Sequence, residues 1–495
     1  MPQLNSRKTI KTSVDLLLML ILTNGILLGF PAVLYILLLR RGGTLLPLQL
    51  AISGVYLLAA FILTAETGAV LWALGQSRQT TMRGLLQRFL RRRPELHPTA
   101  ARGPEALSRL PLASTPPVSI VVVAYLPNEQ SIILETLQHI LTQVDWPTSR
   151  LEVILAYNTP TALPIEADLQ RLAETNPTLK LLRVESSTSK AQNLNAALQI
   201  ATGKMTCIFD ADHHPGADCL IRAWQWLQQG QYDLVQGRNI IRNHGENWLT
   251  QLIAVEFECL YGVSHYGRSL LVDTALFGGS NGYWRTSALR RVCFRATMLT
   301  EDIDATLRAL LKGYRIVHDP QILTTELAPE DVPTLWSQRR RWSQGWLEVA
   351  LAHQRRVARS RYFDLPQRIC WLVMLLYSEG FHPLALQIIP IALSLSMSGL
   401  VMSETMFRFT LISTLLTLLS GFLQLFVAMR SRQQVLPLPP AYFLLYGLLS
   451  PIYFWFKSLV AVVALSYHLG GRREWHVTRR VNQKAKAQVL DPALR

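Results

Sequence analysis

The chain has 495 residues, of which 49% are apolar and 17% charged, and its mean hydropathy is +0.20. Soluble proteins carry closer to about 25% charge, so a single small soluble domain is excluded. The 49 Lys and Arg outnumber the 33 Asp and Glu, leaving a net charge of +16. Where that excess lies decides between a nucleic-acid partner and a membrane surface.

Residues 16–39 run without a charge, and at about 1.5 Å per residue they outreach a hydrocarbon core of about 30 Å. Arg7, Lys8 and Lys11 precede this run, which is longer than a signal-peptide core, so a retained anchor is expected. A second apolar segment, 44–76, has Glu66 as its one charge. Residues 1–77 therefore read as a membrane region with two spans. The Arg/Pro-rich stretch 78–117, with Arg78, Arg83, Arg88, Arg91, Arg92 and Arg93, reads as a linker. By the positive-inside bias it faces the cytosol and takes the central domain with it. Beside a span, the partner of these arginines is expected to be the anionic membrane surface and not nucleic acid.

Residues 118–361 have the size and mixed polarity of one large domain. Beyond it, 362–470 holds three apolar segments, and 471–495 forms a basic tail. A tail on the linker's side requires an even number of crossings. The stretch 370–402, broken by Pro383 and Pro390, is thus expected to hide an extra crossing, or one segment to lie in the interface. Of the charges in apolar segments, Glu66, Glu379, His382 and Lys457 would mark a transport path; Glu66, Glu379 and Lys457 would equally lie at interfaces, and that is expected. The five cysteines show no zinc spacing and read as free thiols.

Within the central domain, runs at 118–125, 151–157, 179–184 and 205–209 alternate with helical patterns. They predict a mostly parallel sheet buried on both faces, with ligands at the carboxyl ends of its strands. The fourth run leads into Asp210-Ala-Asp212. Carboxylates at i and i+2 suit Mg2+ or Mn2+ completed by water and a diphosphate, although the same residues end many strands by an ordinary turn. Thr300-Glu-Asp-Ile-Asp304 opens a helix, where acids also simply complement the helix dipole. Gln338-Arg-Arg-Arg-Trp342 would also suit lipid headgroups.

In order and spacing the three motifs resemble those of the membrane-embedded family 2 glycosyltransferases, which include cellulose, chitin and hyaluronan synthases and several glycolipid synthases. The likeness extends to Ser189-Lys-Ala-Gln-Asn193. It implies an α/β GT-A (Rossmann-like nucleotide-sugar) domain inserted between N- and C-terminal transmembrane helices. It also implies a metal-dependent, inverting hexosyltransferase with a UDP-sugar donor. On this chain Asp302 would be the catalytic base, and Asn158, Lys190, Asp210, Asp212 and Arg341 would bind the donor, Asp212 also holding the metal. Glu301, Gln338 and Trp342 would meet the acceptor. Two departures stand out. Leu126-Pro127 are inserted before Asn128-Glu129, and Tyr157-Asn158 replace the usual acidic pair, which leaves the base contact to Asn158. Within the family the layout is most similar to cyanobacterial-type synthases that pass glucose from UDP-glucose to diacylglycerol, giving β-monoglucosyldiacylglycerol. A processive β-polysaccharide synthase is the alternative.

Overall fold

The computed structural model describes residues 18, 21–76, 115–432 and 436–472. The basic linker at 77–114 and the tail from 473 lie outside the described residues, as do the first 17.

The four strands expected from sequence form, as β1 (Val118–Tyr125), β2 (Leu151–Asn158), β3 (Leu179–Arg183) and β4 (Met205–Asp210). They are joined by β5 (His214–Pro215), β6 (Leu234–Ile241), β7 (Gly282–Arg285) and β8 (Ile316–Glu326). The order across the sheet is β3-β2-β1-β4-β7-β6-β8-β5. The half from β3 to β4 is parallel throughout. The other half is mixed, because β7 runs antiparallel to both β4 and β6 while β6 and β8 are parallel. The expectation of a mostly parallel sheet therefore holds for the first half only.

Ile120, Val122 and Ala124 of β1 enter the core on one face of the sheet, and Val121 and Val123 enter the core on the other. An unbroken β-branched run satisfies both, each buried side chain contributing roughly 1.5–3 kcal/mol. The inserted Leu126-Pro127 begin a short helix, Leu126–Glu129. Glu129 Oε2 accepts the Tyr125 N–H at 2.7 Å and so closes the turn. All five cysteines are free thiols.

Among the described residues, five helices are long and apolar enough to cross a membrane: Ile21–Arg40, Leu46–Gly75, Gly380–Met397, Glu404–Ser431 and Pro440–Leu469. The ambiguous stretch after the domain divides into two helices, Leu365–Ala385 and Ile388–Met397. The first is part of the domain's own core, where Trp371 and Leu375 are buried. A third apolar cluster joins the domain to helices 46–76, 404–431 and 440–469. Ion pairs cross the same seam, Glu66 to Arg268 at 2.8 Å and Glu256 to Lys457 at 2.9 Å, and Arg339 of the domain also holds Glu256 at 2.7 Å. Two of the charges in apolar segments, Glu66 and Lys457, are thus paired with the domain.

Candidate active site

The parallel strands deliver their last residues to one edge. Tyr125 is in register with Asn158, and Asp210 with Val123. Asp210 forms an ion pair with Lys190, the first residue of the helix Lys190–Ile200, whose N-terminus is capped by the Ser189 side chain on Gln192 N–H. Lys190 Nζ also donates to the Gly279 carbonyl at 2.8 Å. Gly279 has φ +86°, and a Cβ there would lie 2.8 Å from Asp302 Oδ2 and 3.5 Å from Lys190 Nζ. Any side chain at this position would be strained and would collide with the Asp302 carboxylate. Gln236 of β6 holds this glycine loop by accepting the Gly278 N–H at 3.0 Å and donating to Ser280 O at 3.1 Å.

Asp302 occupies the first turn of the helix Glu301–Leu310 and is half-buried, while Glu301 is buried. Burial first, and then the adjacent Glu301, push the Asp302 carboxyl up to about 7, against the opposing pull of Lys190, the Ile303 N–H and Arg341. For Lys190 burial alone would lower the pKa, but Asp210, Glu301 and Asp302 outweigh it and hold the ammonium above its ordinary value. A carboxylate titrating near neutrality beside a fixed cation suits proton abstraction.

Asp212 is buried, with Oδ2 accepting the Leu327 N–H at 3.0 Å and Oδ1 in a long 3.3 Å contact with His213 Nδ1. His213 Nε2 meets Glu326 at 2.7 Å. Burial works against the imidazolium, yet Glu326 and Asp212 keep it charged, with a pKa of about 9. Arg242 bonds the Asp212 carbonyl. Among the described residues no three His, Cys, Asp or Glu side chains converge as a metal cluster. The Asp210 side chain is 34% exposed and offers hard oxygen donors to a cation, while the Asp212 carboxylate beside it in sequence is 2% exposed. That donor set fits Mg2+ or Mn2+, which keep waters and substrate oxygens as ligands.

The Gln338–Trp342 motif lies on the long helix Val332–Arg359, begun by Asp331 on the Thr334 N–H and by Pro333. Gly345 of this helix packs so closely on Thr300 that a Cβ would overlap its side chain. The helix is thus pressed against the turn that carries Glu301 and Asp302. Gln338, Arg341 and Trp342 are half-buried. Arg341 reaches Asp302 electrostatically, whereas the Trp342 ring lies under the Arg339 guanidinium at 4.4 Å, in the seam cluster.

Lys190, Asp210, Glu301, Asp302 and Arg341 are therefore brought together, and Trp342, next to Arg341 in the chain, packs in the seam cluster. Asn158 lies at the far end of the strand edge, with its carboxamide donating to Ser187 O at 2.9 Å and accepting from Asn193 at 2.8 Å. Sequence reasoning missed His213, Glu326, Gln236 and Gly279. The paired glycines of Phe277-Gly-Gly-Ser signalled a tight loop, but Glu326 stands in no motif and reaches the site only through β8.

The chain matches the model of the glycosyl transferase family group 2 over residues 206–465. It is 27% identical over 236 residues to the poly-beta-1,6-N-acetyl-D-glucosamine synthase of Staphylococcus epidermidis, covering 47% of this chain and 55% of that one. It is 28% identical over 244 residues to the beta-monoglucosyldiacylglycerol synthase of Nostoc sp., covering 47% and 49%. The chain thus spans about half the length of the curated relatives it matches. Among solved structures, it is similar to a mannosyltransferase of Pyrobaculum calidifontis in complex with GDP-mannose and Mn2+, with a TM-score of 0.51 and 21% identity over 84% of this chain and 100% of that one. That likeness is one of fold: a GT-A-like mixed sheet, here flanked at both ends by apolar helices.

Proposed function

This chain belongs to the glycosyl transferase family group 2, and from that premise we propose that it transfers glucose from UDP-glucose to diacylglycerol with inversion, forming β-monoglucosyldiacylglycerol. The observation that carries the proposal is the contact between Gly345 and Thr300. One helix presses the Asp302 turn from one side while its Trp336 and Arg339 pack on the apolar helix 440–469 and on Glu256. The candidate base is thereby set against the seam from which a lipid hydroxyl would enter.

Asp302 accepts the acceptor proton on Oδ2, since Oδ1 carries the Ile303 N–H. The freed oxygen attacks the anomeric carbon from the face opposite UDP. One displacement with one base inverts the centre, giving a β-glycoside from an α-linked donor. Lys190 and Arg341 offset charge that builds on the leaving diphosphate. Asp210 and Asp212 would hold Mg2+ or Mn2+, which supplies further positive charge to that diphosphate. Asn158, through Ser187 and Asn193, shapes the end where the base binds. Glu301, Gln338 and Trp342 border the acceptor. The domain faces the cytosol in this reading, as the arginines of 78–117 require.

A processive β-polysaccharide synthase is the second reading, favoured by the likeness to the poly-N-acetylglucosamine synthase. Purified protein in diacylglycerol liposomes, given labelled UDP-glucose and Mg2+, separates the two. Label in one chloroform-soluble glycolipid is expected. Label in a high-mass glycan overturns the lipid acceptor.

A further inference from the structure

Away from the site just described, a cavity of 580 Å3 opens where the long helix ends, within the roughly 300–1,000 Å3 of small-molecule sites. Seven of its ten lining residues are Arg or Lys, and no acidic residue lines it. Four segments supply them. Arg295 comes from the loop before the helix Glu301–Leu310, Arg308 and Lys312 from that helix and the turn after it, Arg355, Arg356 and Arg359 from the last turns of Val332–Arg359, and Arg361 from the loop beyond.

Arginines at a helix C-terminus would be unremarkable alone, since the helix dipole offers them about half a negative charge. Here that half charge faces seven cations. Asp304, the carboxylate that pairs with two of these cations, is fully buried and shared by Arg308 at 2.6 Å, His353 at 2.7 Å and Arg295 at 3.6 Å. Arg308 is a fixed wall, held also by the Cys293 carbonyl at 2.8 Å. Arg355, Arg356, Arg359 and Arg361 are exposed and turn their charge outward.

Immediately beyond the cavity, Asp364 and Gln367 form the capping box that starts the helix Leu365–Ala385. On this helix Leu365, Ile369 and Leu376 are 65%, 54% and 62% exposed. Their spacing of four and seven places them on one stripe, away from the face that buries Trp371 and Leu375 in the domain core. Tyr362, half exposed at the cavity rim, is a residue type enriched at membrane surfaces. A basic pocket followed directly by an exposed apolar stripe and an aromatic residue is the pattern of an interfacial anchor.

We infer that this pocket binds the phosphate of an anionic membrane lipid, with the acyl chains lying along the Leu365, Ile369 and Leu376 stripe. Inorganic phosphate or a soluble phosphate ester shares the headgroup chemistry but has nothing to place on the stripe. The inference is independent of which acceptor the active site uses.

Full-length protein in mild detergent, offered phosphatidylglycerol or phosphatidylcholine and examined by native mass spectrometry, tests it. Wild type is expected to retain phosphatidylglycerol preferentially, even with inorganic phosphate in large excess. Arg355→Gln/Arg356→Gln/Arg359→Gln should lower that retention roughly tenfold or more while the same three changed to Lys keep it. Arg91→Gln/Arg92→Gln/Arg93→Gln in the linker should leave it unchanged. Equal loss in the linker variant, undiminished retention in the Gln pocket variant, or displacement of the lipid by inorganic phosphate each overturns the proposal.

Discussion

The cleft and the membrane seam both bury carboxylates beside cations, yet the two carboxylates are shifted in opposite directions. Burial opposes ionisation in each. At the seam Glu256 is nevertheless held down at about 2, because Arg339 and Lys457 surround it and the Tyr453 hydroxyl donates to it at 2.8 Å. In the cleft the Asp302 carboxyl receives one backbone N–H, stands next to Glu301, and shares Lys190 with Asp210, so it rises to about 7. The number of donors on the carboxylate decides the direction. A saturated carboxylate fastens two parts of the molecule together, whereas an undersupplied one is left to exchange a proton.

Asp302→Asn tests that contrast most strongly. Loss of a general base costs about 10²–10⁴ in rate, and the amide keeps the shape without the buried charge, so kcat should fall about 10³-fold with the melting temperature equal to or above that of wild type. Activity near wild type would remove Asp302 as the base. Glu256→Gln should do the reverse. It strands Arg339 and Lys457 in the seam, and breaking a buried pair costs about 3–5 kcal/mol. The melting temperature in detergent should drop while the activity of the folded fraction is largely kept. A variant that melts like wild type would show that apolar packing alone holds the seam.

pH separates the two regions without mutation. If Asp302 is the general base proposed above, it works only when ionised, so activity should fall about tenfold per pH unit below about 7. A folded pKa raised above the unfolded value means that lowering the pH through this range adds to stability at Asp302 instead of removing it. The Glu256 contribution has the opposite sign: it is present above the ordinary value of 4.5 and is lost only as pH falls toward about 2. Between about pH 8 and pH 6, activity should therefore decline with no drop in melting temperature. A parallel fall in both would place the titrating group in the fold and not at the reaction.

How much of this was legible in the sequence differs between the two regions for a physical reason. The cleft's chemistry is local: Asp210, Asp212, Glu301 and Asp302 stand in short runs at strand and helix ends, where alternating apolar segments announce the edge. Even the depth of the parallel half, buried on both faces, follows from Val118-Ser-Ile-Val-Val-Val-Ala124 alone. The seam is built from single residues far apart in the chain. Glu256 meets Lys457 and Arg339 only after folding, and the Glu66–Arg268 pair joins positions 202 residues apart. No spacing rule reports such pairs. The antiparallel β7 was hidden for a related reason, since Gly282-Tyr-Trp-Arg285 is four residues long and gains its identity from the neighbours β4 and β6. His213 and Glu326 were missed likewise, because one depends on the other across the sheet.

The smallest expected effect is the one that links the two regions. Gly345 lets the helix Val332–Arg359 lie directly on Thr300, and Ala there would force its Cβ onto the Thr300 side chain. On the long helix Trp336 and Arg339 already hold the seam through Phe456 and Glu256, so the turn carrying Glu301 and Asp302 is the part expected to give. A base displaced by a fraction of an ångström loses part of its advantage, since a shift of about 1 Å costs about 10²-fold. Gly345→Ala should therefore lower kcat roughly tenfold, and the melting temperature should change little because Ala is a better helix former than Gly by about 1 kcal/mol. Gly345→Ala in a Thr300→Ser background, which removes the methyl group facing that Cβ, should restore part of the loss. If kcat is unchanged in the single variant, the seam and the cleft are mechanically separate, and the helix serves each independently.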